Sequence, residues 1–448
     1  MQKQSPIHQL IDLFQEAFVR LHLDIPPKIC EKYAVFIYSC MDNGKRKFHT
    51  TEHVLNVCHD MAPLQILAGL FHDVVYYQVD KCFLPQFEDL VLQVVTVNEQ
   101  GVHLKNDLSE DYLIDLCLDL FNFAPGQLLK PDAGLNEFLS AWVAVSYLKD
   151  FLKAKDLMTI VACIEATIPF RPKDDQGMNC FDHLELRIQH CFPKYQLSLA
   201  LSDIEQMVRL AAGLANRDVE NFADKDIGRF LDNTWALLPE TNDMLWRPGV
   251  YYNQDYRVAL SKMEGFLSCL DPQNIFHHYK GAPDEQYLVL LKQQAHHNLQ
   301  TSEEYLQVKI LAITIVEALA KVTGGDAPVS LFLGDGIIDG VEKAEDYLPP
   351  IELSDHLAYN DTIYRLLEYG RTSDTSFDIK NSPIGAFTYK LLGDKETKKS
   401  MDIARQMFLG SIAPETFLRL VNRDLVSHIA QACAILVTTR KKELVRWL

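Results

Sequence analysis

The chain has 448 residues, too many for one ordinary domain and enough for two or three, and its 48% hydrophobic content can build real cores, unlike that of a disordered chain. A formal net charge of −18 and a pI near 5.3 argue against a general surface for nucleic-acid polymers or anionic membranes, because both need clustered lysine and arginine. A small phosphorylated ligand stays compatible, since a metal or a local cationic pocket holds phosphate against an acidic background.

Ten cysteines are scattered along the chain with no CxxC pair among them. Most fall within apolar helical patterns, so they read as small buried hydrophobes in a reducing compartment. The opening MQKQSPIHQL is polar, and no uninterrupted apolar run approaches the ~20 residues of a membrane span. A cytoplasmic protein without a membrane partner is expected.

From Pro6 to Leu23 apolar residues recur at helical spacing, which predicts a first amphipathic helix stopped by Pro26 and Pro27. A second helix is expected from about Lys28 to Met41, ending at the turn dipeptide Asn43-Gly44. Lys45, Arg46 and Lys47 then lead into RKFHTTEHVLNVCHDMAPLQILAGLFHDVVYY, residues 46–77. On one helix His49 and His53 would be one turn apart and share a face. The apolar run Ile66 to Phe71 predicts a buried helix that delivers His72 and Asp73 to the interior, where an ionisable pair is costly unless a metal or an opposite charge compensates it. Imidazole and carboxylate together suit a divalent first-row metal. The doublet His59-Asp60 lacks such an approach and reads as a helix end.

The pattern FHTTEH followed by LFHDVVY resembles the HD-domain superfamily of metal-dependent phosphohydrolases, and is similar to the YHxxxH plus HD pattern of cyclic-nucleotide phosphodiesterases with Phe48 in place of tyrosine. The likeness is strong over residues 46–77 and loose over the next hundred and fifty or so. It implies an all-α domain in which His53, His72 and Asp73 bind the metal with a distant aspartate, and His49 is the general acid. Asp73 would also orient the attacking water, and Arg46 or Arg171 would neutralise the phosphoryl oxygens. The metal would be a divalent transition ion, Mn, Fe, Ni, Co or Zn. Families of this kind often keep an acidic residue soon after the doublet near the metal, which brings Glu88 into view.

Further along, Gln78 to Gly101 reads as another helix, and residues 102–155 as short helical segments in an insertion. MTIVACIEATIPF predicts an apolar helix ended by Pro169 and followed by Arg171. His183 and His190 read as surface or structural histidines, so one metal site is favoured and a second is left open. For the last ligand, Asp218 follows the small-residue face Ala211, Ala212, Gly213 and Ala215, whereas its rival Asp203 is explained as a helix cap.

Residues 230–256 are dense in aromatics and turn formers, including Trp235, Pro248, Tyr251, Tyr252 and Tyr256, and suit either core packing or the wall of a ligand pocket. The Gly281-Ala282-Pro283 break suggests a domain boundary, giving an HD-type domain over 1–283 and a second helical domain over 284–448. Helices are expected at about 284–299 and at 301–322, the second with a Thr301/Glu304 capping box, and then at 361–370, 383–393, 398–410 and 414–448. The segment LFLGDGIIDG matches neither a Walker loop nor a calcium loop. The basic end, Arg440, Lys441, Lys442 and Arg446, reads as a solvated face.

The expected protein is thus all-α, and hydrolyses a phosphate ester of a nucleotide or other small phosphorylated metabolite. The competing expectation is a metal-bearing regulatory or interaction module that turns over nothing.

Overall fold

The computed structural model describes residues 4–247, 249–335, 338 and 340–448. Pro248 and three residues of LFLGDGIIDG lie outside the described residues. The protein is predominantly α, with one small three-stranded sheet, and it divides into two compact units. The first comprises residues 1–221 with 271–293, and the second 222–270 with 294–448. The boundary expected at 283/284 falls inside the 271–293 stretch of the first unit.

In the first unit, α1 (Pro6–Arg20) and α2 (Pro27–Met41) each open on a proline, whose missing N–H costs nothing in a first turn. They pack together through Phe14, Phe18, Tyr33 and Ile37. Next come α3 (Thr51–Cys58), α4 (Pro63–Phe71) and the single turns α5 (Tyr77–Asp80) and α6 (Glu88–Val91). The helix expected through residues 78–101 gives way to a hairpin: β1 (Val95–Asn98) pairs antiparallel with β2 (Gly101–Leu104). The β-branched run Val94-Val95-Thr96-Val97 favours a strand, and Gly101 supplies the positive φ that turns the chain back. After α7 (Tyr112–Phe121), β3 (Leu128–Leu129) adds to the free edge of β2.

The core of the unit is built by α8 (Leu135–Leu148), α9 (Ala154–Ala166), α10 (Cys180–Cys191) and α11 (Leu201–Asp218). α9 is the central helix, buried from Leu157 to Ala166 and packed against α4, α8 and α11. Two glycines let helices converge on α4. A Cβ at Gly69 would lie 2.9 Å from Cys58 Sγ on α3 and 3.4 Å from Leu214 on α11. One at Gly213 would lie 2.6 Å from the Gln65 amide nitrogen, which donates to the Leu210 carbonyl at 2.8 Å.

In the second unit α12 (Ile227–Thr241) and α13 (Asn253–Cys269) precede the later part of α14 (Glu285–Val322). The two helices expected at 284–299 and 301–322 are therefore one. No glycine or proline interrupts them, and Thr301 and Ser302 are buried side chains of a continuous helix instead of caps. Then follow α15 (Val329–Leu333), α16 (Asp361–Glu368), α17 (Pro383–Phe408), α18 (Pro414–Leu420), α19 (Arg423–Leu436) and α20 (Lys441–Leu444). α17 joins two expected helices across a kink at Gly393, φ 63°. Of the basic end, Arg440 is not simply solvated: it donates to the carbonyls of Ala320 and Gly325 and lies over the Phe332 ring. Among the described residues no helix is long and apolar enough to cross a membrane. Eight of the ten cysteines are buried, and only Cys82 and Cys269 are exposed.

Candidate metal centre

Three helices of the first unit deliver four side chains to one point. His53 comes from the first turns of α3, His72 and Asp73 from the end of α4, and Asp218 from the last residue of α11. Apolar burial of Ile66 to Phe71 sinks α4 into the core, so the residues at its end emerge inside the protein.

One donor atom from each of the four lies within 4.8 Å of every other. His53 Nε2 is 3.1 Å from Asp218 Oδ1 and 3.4 Å from Asp73 Oδ2, while His72 Nε2 is 3.0 Å from Asp73 Oδ2 and 3.3 Å from Asp218 Oδ1. The two Nε2 atoms are 3.4 Å apart. Ligands bound at ~2.1 Å stand about 3.0–3.4 Å from their neighbours in octahedral or tetrahedral geometry, so the spacing fits a first-row divalent ion. His72 Nδ1 lies 2.7 Å from the Gly69 carbonyl oxygen, which fixes the ring and reserves Nε2 for the centre.

The electrostatics of the four are mutual. Burial alone would strip the proton from His53, but hydrogen bonds and charges from Asp218 and Asp73 outweigh it and lift the imidazole to about 9. His72 rises well above its ordinary value against the same burial, through the charges of Asp73 and Asp218. Burial pushes the two carboxyls up, but the histidines prevail: His72 leads in holding Asp73 well below the usual range and Asp218 at about 2.

His49 lies outside this group. α3 begins only at Thr51, so His49 belongs to the preceding bend and the expected i, i+4 face does not form. Its ring is nevertheless 5.8 Å from that of His53 and 4.2 Å from that of Tyr76.

Arg46 is buried beneath the doublet. Its guanidinium grips the Asp80 carboxylate bidentately at 3.2 and 2.6 Å, and donates to the carbonyls of Asp73 at 2.6 Å and Val74 at 3.1 Å. Those bonds commit it to holding the backbone that carries Asp73. Arg171 is likewise engaged, bonding the Glu165 carboxylate at 2.6 Å and nearby carbonyls, and Arg187 shares that carboxylate.

The other candidates lie elsewhere. Glu88 opens α6, His59 and Asp60 pair with each other in solvent, His183 pairs with Asp174, and His190 is exposed. Asp203 caps α11 by accepting from the Ala200 amide and pairs with Lys155.

Glu137 is the residue that pattern reading missed. It lies in the first turn of α8, whose Asn136 and Ser140 accept from the amides of Tyr77 and Val75, immediately after the doublet. Its Oε2 is shut off from solvent and has no hydrogen-bond partner among the described residues. Burial, with added repulsion from Asp73 and Asp218, pushes its carboxyl up to about 7 despite its own backbone amide and Arg171. Strongly perturbed carboxyls of this kind cluster at functional sites.

No protein-family model, curated protein or solved structure matches this chain. The class defined by fold and site is a predominantly helical protein with a group of two histidines and two aspartates that can hold a metal ion.

Proposed function

We propose that the chain is a metal-dependent phosphohydrolase of the HD type, acting on a phosphate ester of a nucleotide or another small phosphorylated metabolite. The observation that carries this reading is the convergence of His53, His72, Asp73 and Asp218 at ligand spacing, with a further histidine beside them but outside the set. His53, His72, Asp73 and Asp218 would hold a divalent ion, which would supply Lewis acidity and make a hydroxide nucleophile available near neutral pH. Asp73, anchored through its own carbonyl by Arg46, orients the attacking water. His49 protonates the leaving oxygen, a transfer suited to imidazole near neutral pH. Arg46 acts as a positioning residue, since its donors are taken by Asp80 and two carbonyls.

The test is a metal analysis joined to a screen of nucleotides and phosphate monoesters and diesters. His72→Ala should empty the site. His49→Ala should leave metal content and melting temperature close to the parent while turnover falls roughly hundredfold to ten-thousandfold, less for esters whose leaving group needs no proton. Loss of metal from His49→Ala would make His49 a ligand, and full activity on a poor leaving group would remove it from the mechanism. One observation favours a second reading, a metal-bearing module without turnover: both nearby arginines are committed to protein acceptors. A metal-loaded chain that hydrolyses nothing on the panel would establish it.

A further inference from the structure

The second unit contains a cavity of its own. One side is a stripe of α14, Lys309, Ala312, Ile313 and Val316, at i, i+3, i+4 and i+7. Val329 and Leu333 of α15 and Ile379 and Ile384 extend the apolar wall, and Tyr251, Tyr256 and Phe377 add aromatic faces. The enclosed space is about 110 Å3, within a recess of about 800 Å3 counted to its open mouth. An engineered apolar cavity of ~150 Å3 admits benzene, so this smaller space suits a short branched chain, and a ring would extend into the open recess.

The floor is polar, and its Asp378 carboxylate is shared by two cations, Lys309 at 3.1 Å and Arg371 at 3.7 Å. The Asp378 carboxylate accepts from Lys309 Nζ at 3.1 Å, Tyr256 Oη at 2.6 Å and Trp235 Nε1 at 2.8 Å, all at one oxygen. Lys309 is thus paired, and its ammonium also faces the rings of Trp235, Tyr256 and Tyr305 at 5.2–5.9 Å. Two further acids, Asp335 and Glu345, line the recess, and Asp335 has interactions of its own.

Glu345 gives the cavity its direction. It is half-buried in the single 3-10 turn Ala344–Tyr347, with no ion pair and no side-chain donor among the described residues. Burial pushes its carboxyl up, with the charge of Asp346 and against that of Lys343. A recess that carries both a half-buried carboxylate and aromatic faces is a poor place for an anion and a good one for a cation with an apolar body.

We infer that this cavity binds a small organic cation, an amine whose hydrocarbon or single-ring body fills the apolar slot against Ile313, Val316 and Leu333 and whose ammonium meets the Glu345 carboxylate. A neutral molecule of the same shape would gain only the apolar contacts, and a carboxylate would meet the like charge of Glu345.

The test uses the full chain and three matched probes, isoamylamine, isoamyl alcohol and isovalerate, with benzylamine and benzyl alcohol as a ring-bearing pair. Binding is followed by calorimetry and by thermal shift at millimolar probe. The amines should bind at least roughly tenfold more tightly than the alcohols, the worth of one charge-assisted contact, and isovalerate should not bind. Glu345→Gln, which breaks no bond to another side chain, should cut amine affinity by about the same factor and leave alcohol affinity unchanged. Ala312→Leu should weaken every probe by filling the slot. The inference is overturned if isovalerate binds best, if Glu345→Gln binds amines as well as the parent does, or if no probe binds. Because the readout is binding in the second unit, it stands or falls independently of any turnover at the metal centre.

Discussion

His53 and His72, each held protonated by the two aspartates, do for the metal-free centre what an ion would do for the loaded one. The His53 contribution to stability is complete below its ordinary 6.5 and is lost as pH rises through about 9. The Asp218 contribution is complete above its ordinary 3.8 and is lost as pH falls through about 2. Without metal the cluster therefore stabilises the chain most between pH 3.8 and 6.5. An incoming ion must displace both protons, so near neutral pH binding should release about two protons per ion and tighten as pH rises. Calorimetry in two buffers of different ionisation enthalpy checks this; binding without proton release would mean the histidines are neutral beforehand. Glu137 has the same sign from a different cause. Folding raises it from 4.5 to about 7, so its contribution is present below 4.5 and lost as pH rises through about 7. Glu137→Gln should leave the chelator-treated chain unchanged at acid pH and stabilise it above neutral pH, by about 1–3 kcal/mol. A lower melting temperature there would reveal a partner for the carboxylate.

At the scale of elements, apolar periodicity made α1, α2 and α4 legible, because each buries one face or, for α4, nearly all of itself. The same periodicity pointed to the small-residue face of α11 that brings Asp218 in. What periodicity could not supply was where helices begin and end. His49 and His53 have helical spacing, yet α3 starts after His49. Thr301 and Glu304 spell a cap, yet they lie within a helix that tertiary burial carries through. Glu137 went unread because α8 follows a proline- and glycine-broken stretch that resembles an insertion, and its relation to the doublet exists only through long-range contacts from Asn136 and Ser140. The convergence of α3, α4 and α11 depends on Gly69. Gly69→Ala should cost about 1–3 kcal/mol and weaken metal retention, because the new methyl displaces Cys58 and Leu214. Gly265→Ala in α13, where nothing lies within 4 Å, is the control and should be neutral or stabilising by up to ~1 kcal/mol. Equal losses from both would mean that close approach at Gly69 is not the cause.

At the scale of the molecule, the chain leaves its first unit at residue 221 and returns to it at 271. A chain ending at 283 would keep Trp235, Tyr256 and Arg257 but lose Asp378 and Glu317, which hold them. It should aggregate or show residues 222–270 unprotected in hydrogen exchange. A chain joining 1–221 to 271–293 by a short flexible linker should fold and take up metal. Full protection of 222–270 in the shorter chain would show that this segment needs nothing from 294–448. The order of synthesis would constrain which ion such a site could capture. His53, His72 and Asp73 leave the ribosome early and together, whereas Asp218 arrives only when α11 has been made and has docked beside α4. Until then a passing cation meets three loose donors, a weak and unselective hold. Choice of metal would thereby be deferred to the finished cavity and to the ions supplied around it at that moment.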